Sequence, residues 1–355
     1  MASNLVPSVQ RAWVVVKRGH PSKALALKED YPVQKTLRKG DVLLKIQAAA
    51  LNPVGYKVMK MAPNFIAKRP AIAEYDLAGV VVDANGTEFK EGDAVFGFIS
   101  VAESLKTRQG SLAQYAAIPA DHLVTRPENI TPTEAAGITL AAQTAHEALF
   151  THMKLEPGQT VFINGGSSAV GLFAIQIAKA KGLKVVATAS GKNEELIRSM
   201  GVDEFIDYTK EPLHAHLIKN PPETKFHGIL DAVGLVDPSL YTHSPAYLAP
   251  GCLFLSTGPL PRNWSASEIS QLLRYMWMAQ VWPSWLGGIK RPWKVFNMAN
   301  HKETLEDLRS LVADGKLKGV GDSVHPFSDV LKAYERMMSG RATGKIVVTV
   351  EEPTT

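Results

Sequence analysis

The sequence predicts an α/β protein built on a doubly wound parallel sheet, with a second, mostly β region ahead of it. Three observations carry this. From about Thr133 to Leu255, β-branched apolar runs alternate with helical spacing; residues 11 to 125 hold short strands broken by turn residues; and Thr160 to Ser190 contains a strand, turn, helix and strand in succession. A chain of 355 residues, 45% hydrophobic and 21% charged, is long enough for two domains and ordinary in composition.

The run from Thr160 to Ser190 organises the rest. Thr160 to Asn164 is a short buried strand, followed only by small residues: Gly165, Gly166, Ser167, Ser168 and Ala169. Val170, Ala174, Ile177 and Ala178 then recur at helical spacing, Gly182 ends the helix, and Lys184 to Ala189 reads as the next strand. A turn of tiny residues at that junction lets a diphosphate approach the backbone and meet the free N–H groups of the helix N-terminus. Gly166 and Gly171 occupy the first and third positions of the dinucleotide fingerprint, while Ser168 holds the second. Its hydroxyl is suited to cap the helix or to donate to a phosphate.

The end of the second strand bears on which dinucleotide binds. An NAD site places Asp or Glu there, about 20 residues beyond the glycines, to accept from the ribose 2′-OH. Here the strand runs into Ala189, Ser190, Gly191 and Lys192, with no carboxylate before Glu194. A hydroxyl and an ammonium suit a 2′-phosphate, with Tyr208 after the third strand flanking it, so the expected cofactor is NADPH.

Composition excludes several classes. The net charge of +5 is mild for this length and no basic run interleaves with aromatics, so nucleic acid is not an expected partner. The single cysteine, Cys252, rules out an internal disulfide and a multi-cysteine zinc site; no metal is expected. The N-terminal apolar run of five residues is too short for a signal peptide, and Tyr275 to Ile289 is broken by Gln280, Pro283 and a glycine pair, so a cytoplasmic protein with no membrane span is expected.

Along the chain, strands are expected at Trp13 to Val16, Asp41 to Ala48, Ala78 to Val82 and Ala94 to Phe98, with no helix of useful length in that region. Thr131 or Thr133 is placed to cap an alanine-rich helix, and strands beginning at Thr160, Lys184, Glu204, Gly228 and Cys252 follow. Residues 260 to 300 break the rhythm with Trp264, Trp277, Trp282, Trp285 and Trp293, plus Met276, Met278 and Met298. Such a segment covers an apolar ligand, forms a subunit interface or packs in the core. Helices at Glu303 to Ala313 and Val330 to Met338 and a strand at Lys345 to Val350 close the chain.

Read together, several short pieces resemble the medium-chain dehydrogenase/reductase superfamily, in its zinc-independent quinone oxidoreductase and enoyl reductase branch. They are Asn52-Pro53-Val54 with Lys57, Tyr75-Asp76-Leu77-Ala78-Gly79-Val80, Glu91-Gly92-Asp93-Ala94-Val95-Phe96-Gly97, Gly110-Ser111-Leu112-Ala113-Gln114-Tyr115, Thr144-Ala145, the glycine turn, Leu230-Asp231-Ala232-Val233-Gly234 and Gly344-Lys345-Ile346-Val347. The resemblance implies a GroES-like β-barrel catalytic domain from residues 1–125 and 304–355, and a Rossmann cofactor domain from 126–303, with the nicotinamide held between them. It implies that Asn52 lies near the nicotinamide ribose, Thr144 contacts the nicotinamide end, and Ser167, Ser168, Ala169 and Val170 hold the diphosphate. Ser190, Lys192 and Tyr208 would grip the 2′-phosphate, and Val233 and Gly258 would line the cofactor.

Two departures stand out. The family's usual Asp after Asn-Pro-x is Gly55, leaving that carboxylate absent or replaced, with Tyr56 the neighbouring candidate; and the proton-donating Tyr of the mitochondrial-type 2-enoyl thioester reductases, eleven residues after the Asn, is Pro63. The Trp- and Met-rich segment is more similar to fungal members, including trans-acting enoyl reductases that serve polyketide synthases. The expected reaction is hydride transfer from NADPH to the β-carbon of an enone or enal, or to a quinone. Oxyanion donors are then needed in a dry pocket, and Asn52, Tyr56 and Lys57 are the catalytic candidates on what reads as a loop. His146 and His152 are expected to be structural. A carrier-dependent reductase acting on an acyl carrier protein's enoyl thioester, and a catalytically silent NADPH-binding or scaffold protein, are the alternatives; family likeness permits a monomer or homodimer.

Overall fold

The computed structural model describes residues 6–259, 265–286, 288–296 and 300–351. The chain divides into two compact units, Met1–Gln143 with Ala299–Thr355, and Thr144–Met298. Residues 126–143 therefore go with the first unit and not with the cofactor domain. The reason is chemical: Thr139 and the backbone N–H of Leu140 both donate to the buried Asp76 of that unit.

In the first unit the long strand Asp41–Ala50 is the spine. It pairs antiparallel with Asp76–Asp83 on one side; on the other, its first half pairs with Tyr115–Pro119 and its last three residues with Lys345–Thr349. Ala94–Phe98 and Leu123–Thr125 extend the sheet beyond Asp76–Asp83, and Gly321–Pro326 lies parallel to Lys345–Thr349. Both ends of the chain thus build one core, in which Trp13, Leu44, Ile46 and Leu77 pack with Phe327, Tyr334, Ile346 and Val348.

This region is less purely β than the sequence reading holds, because Pro53–Met61 and Val101–Thr107 are helices. Pro53 at the first helical position, after Asn52 in an extended conformation, supplies the start signal. Thr131, and not Thr133, caps the alanine-rich stretch, in a reciprocal capping box with Glu134. That stretch is two α-helices, Pro132–Ala136 and Thr139–His146, the second running into a π-helical segment at Glu147–His152.

In the second unit six parallel strands lie in the spatial order Glu204–Asp207, Lys184–Ala189, Thr160–Asn164, Phe226–Asp231, Leu248–Ser256 and Trp293–Val295. In sequence order this is 3-2-1-4-5-6, the Rossmann arrangement. The sixth strand comes from the Trp-rich segment. That segment has two characters: Tyr275 and Trp293 are buried in the sheet's core and bonded to each other, while Leu273, Trp277, Val281, Trp282 and Trp285 are exposed along and after helix Ala266–Gln280. Trp264 and Met298 lie outside the described residues. No helix among the described residues is long and apolar enough to cross a membrane.

Candidate functional site

The cofactor half is built where all the parallel strands end. Turns 165–168, 190–193, 232–235 and 257–258 each follow the carboxyl end of a strand, and the order reverses between Thr160–Asn164 and Phe226–Asp231, the switch point at which such sheets bind ligands. Gly165 adopts φ +83°, a left-handed conformation that suits glycine, and a Cβ there would meet Val233 at 2.3 Å. A Cβ on Gly171 would lie 2.2 Å from the carbonyl of Gly165, so this glycine lets the helix close onto the turn. The turn is stapled from below by side chains: the Gly165 N–H donates to Thr188 Oγ1 (3.1 Å), the Thr188 hydroxyl to Asn164 (2.9 Å) and the Asn164 amide to Asp231 (2.9 Å).

Helix Ala169–Ala180 starts at this turn. Its body is buried, whereas Ser167, Ser168, Ala169 and Val170 are half-exposed and leave the N-terminus open. Ser168 Oγ accepts from the Gly171 N–H at 3.1 Å, so the serine caps the helix and keeps its own hydrogen to donate. A tight left-handed turn, a close-packed third glycine and open helix N–H groups fit a dinucleotide diphosphate. Asp231, fully buried, also accepts from the N–H groups of Val233, Gly234 and Leu235 and from Ser256, fixing the loop that carries the half-exposed Val233. Gly258, at φ +110°, donates to the same Ser256 hydroxyl. Thr144 is buried in helix Thr139–His146.

In the first unit the Asn52 region forms a buried polar network. Lys345 is 3% exposed and donates to Asp76 (2.8 Å), Asn52 Oδ1 (2.7 Å) and the Leu51 carbonyl (3.0 Å). Because an ammonium only donates, the Asn52 oxygen faces it, and the Asn52 amide hydrogens go to Asp76 (3.0 Å) and the Ala50 carbonyl (3.3 Å). Both hydrogens are committed, so Asn52 has none to offer a substrate oxyanion; it works as a network member at the start of helix Pro53–Met61. Glu74 joins the network from the other side, accepting from the Asn52 N–H (3.0 Å) and the Tyr334 hydroxyl (2.5 Å). Burial raises its pKa to about 8, against the lowering effects of Tyr334, Lys345 and the Asn52 N–H.

The model for the GroES-like domain of alcohol dehydrogenases matches residues 38–128, and that for zinc-binding dehydrogenases matches 200–348. A trans-enoyl reductase from Aspergillus terreus, pgmF, is 34% identical, with 99% of each chain covered. The chain belongs to the medium-chain dehydrogenase/reductase superfamily. An NADPH-dependent alkenal/one oxidoreductase of Arabidopsis thaliana is 31% identical over 97% of this chain and 80% of its own length. The quinone oxidoreductase of Coxiella burnetii superposes with a TM-score of 0.76 at 25% identity, over 96% of this chain and 99% of that one. This medium-chain reductase is thus an oxidoreductase with a GroES-like domain and a Rossmann domain that takes a nicotinamide cofactor. Among its described residues no cluster of three His, Cys, Asp or Glu is placed to hold a metal.

The remaining candidates of this medium-chain reductase fall as follows. Tyr56 and Lys57 sit on a helix, not a loop; Tyr56 packs against the first unit's core, and Lys57 is half-buried, its ammonium pushed below the ordinary lysine value by desolvation. Lys57 is therefore no plain surface cation. Lys192 is exposed, Tyr208 half-exposed and Ser190 half-buried, at the ends of adjacent strands. What the sequence reading missed is Asp207: a Cβ on Gly191 would meet its carboxylate at 2.7 Å, so an acid does reach this corner, from the third strand. Hydrogen bonds from Thr209 hold its pKa low. His146 meets Phe150 with the two rings tilted, and His152 meets Phe296 edge-on.

Proposed function

We propose that this protein reduces the C=C bond of an α,β-unsaturated carbonyl compound, an enone or enal, or a quinone, with NADPH and without zinc. The observation that carries the reading is Lys57: a half-buried ammonium with no ion-pair partner among the described residues, one residue from a tyrosine, on the helix that Asn52 and Glu74 anchor. When bound, the nicotinamide supplies the hydride. Ser167 to Val170 and the helix N-terminus would hold the diphosphate, and Val233 and Gly258 the adjoining backbone. Lys57 would stabilise the charge growing on the substrate's carbonyl oxygen, and Lys57 or Tyr56 would return the proton to the enolate. A single cysteine in the whole chain supports the zinc-independent assignment.

Ser190, Lys192 and Tyr208 favour the 2′-phosphate of NADPH, as does the name of the Arabidopsis relative. Asp207 beside Gly191 is the feature that favours NADH, since a carboxylate accepts from a 2′-OH and repels a phosphate. Fluorescence titration with both cofactors separates them: NADPH is expected to bind at least about tenfold more tightly, a difference of about 1.4 kcal/mol, and equal affinity removes the 2′-phosphate assignment. A second reading, favoured by the trans-enoyl reductase name of the fungal relative, is an enoyl thioester presented on an acyl carrier protein. An NADPH-oxidation screen over quinones, enones, enals and free and carrier-bound enoyl thioesters decides it, turnover of carrier-bound substrate alone selecting the second. Failure to bind either cofactor would leave a silent scaffold protein. The protein is expected to act as a monomer or homodimer, in the cytoplasm.

A further inference from the structure

Glu74 is the most unusual residue of the first unit. It is 2% exposed, carries a carboxyl group, and holds φ +64°, a region that non-glycine residues rarely occupy. Such a conformation persists only where surrounding contacts over-determine it. The contacts here are the Asn52 N–H, the Tyr334 hydroxyl and, through Glu74's own carbonyl, the Ser111 N–H.

The aim of the side chain explains the conformation. Asn52 is the N-cap of helix Pro53–Met61, and its side chain makes no capping bond, because the network with Lys345 and Asp76 consumes it. In a capping box the acceptor for the N-cap N–H is an acidic side chain at the third helical position. That position is Gly55. A Cβ on Gly55 would lie 2.1 Å from Glu74 Oε1 and 2.9 Å from Oε2, so the Glu74 carboxyl fills the volume a side chain at 55 would enter.

We propose that Glu74 is the positioning residue of this reductase, its carboxyl supplying from a distant segment the cap that Gly55 lacks and thereby fixing the first turn that carries Tyr56 and Lys57. The two positions are then a matched pair: glycine at 55 requires a carboxyl at 74, and a carboxyl at 55 requires glycine at 74. The catalytic part rests on the reading given under Proposed function; the coupling of the two positions does not.

The pair also sets a pH dependence. Glu74 faces Tyr334 on helix Val330–Met338, Lys345 on the last strand, Tyr75 and Asp76 on its own segment, and Lys57 lies two residues along the capped helix. Between the ordinary carboxyl value of 4.5 and about 8 the native state keeps a proton that the unfolded chain has lost. Stability therefore falls as pH rises across that window and levels above it.

The test is a cycle of Gly55→Asp, Glu74→Gly and the double variant, read by thermal unfolding, by NADPH affinity and by kcat on an enone. Each single variant is expected to lower the melting temperature and to cut kcat about tenfold with NADPH affinity within about twofold; the double is expected to recover most of both losses. Glu74→Gln, which keeps an acceptor for Asn52 without titrating, is expected to retain kcat within about threefold and to flatten the pH dependence of stability over that window. Additive losses in the double, or a Glu74→Gly variant with wild-type melting temperature, overturn the inference, as does a Glu74→Gln variant with an unchanged stability profile. If the wild type turns over no substrate, the functional reading fails, and thermal coupling between positions 55 and 74 alone decides this one.

Discussion

Asp76 and Asp231 are both fully buried carboxylates at the heart of their units, yet they are held in opposite ways. Asp76 faces a cation: Lys345 at 2.8 Å, with Asn52, Thr139 and the Leu140 N–H completing its shell. Asp231 is surrounded by neutral donors, three of them N–H groups within four residues of itself, with Asn164 and Ser256 as the others. The first arrangement clamps segments far apart in the chain, since Lys345 lies 269 residues from Asp76. The second shapes a local loop and, through Val233 against Gly165, the floor of the cofactor turn. A buried charge pair therefore joins distant segments here, and a nest of neutral donors shapes the loop beside the glycine turn.

Substitutions can break that contrast. The largest effect is expected for Lys345→Met, which leaves Asp76 buried without its cation: a loss of about 3–5 kcal/mol in denaturant unfolding, with NADPH affinity of the surviving folded protein unchanged. Asp231→Asn turns one acceptor toward donors, and is expected to cost about 3 kcal/mol and, unlike Lys345→Met, to weaken NADPH in a fluorescence titration. A Lys345→Met protein that loses cofactor affinity, or an Asp231→Asn protein that keeps it, would dissolve the division of labour.

Smaller changes sharpen it. Gly171→Ala drives a methyl into the Gly165 carbonyl and is expected to cost about 2 kcal/mol by overpacking, with NADPH binding falling alongside. Lys57→Ala should leave melting temperature nearly unchanged while lowering enone turnover about tenfold, or about 1.4 kcal/mol. Because desolvation depresses the Lys57 pKa, the proton it would donate is lost at lower pH than from an ordinary lysine. The alkaline limb of kcat should accordingly fall below pH 10.4 in the wild type and vanish in Lys57→Ala.

Much of the cofactor unit was legible in the sequence. The strands beginning at Thr160, Lys184, Glu204 and Gly228, and the glycine turn, fall within observed elements or within two residues of them, because their signals are local periodicity and tiny residues in series. Helix Pro53–Met61 was legible but unread: the Asn-Pro start was there, in a region otherwise dominated by strands. The approach of Asp207 to Gly191 has no such trace, since it joins the ends of two adjacent strands across a helix and loop.

By itself, the sequence determined which stretches form the doubly wound sheet, which strand-to-helix junction carries the turn of tiny residues, and which family motifs run in order along the chain; these follow from spacing within a few residues. Only the tertiary structure decided that the carboxyl absent at position 55 arrives from Glu74, that Asn52 is spent on Lys345 and Asp76, and that, among the described residues of the Trp-rich segment, Tyr275 and Trp293 are core while Trp277, Trp282 and Trp285 are surface. Those outcomes depend on volumes and hydrogen bonds completed by residues 20 to nearly 300 positions apart, and local periodicity carries no record of such a pairing.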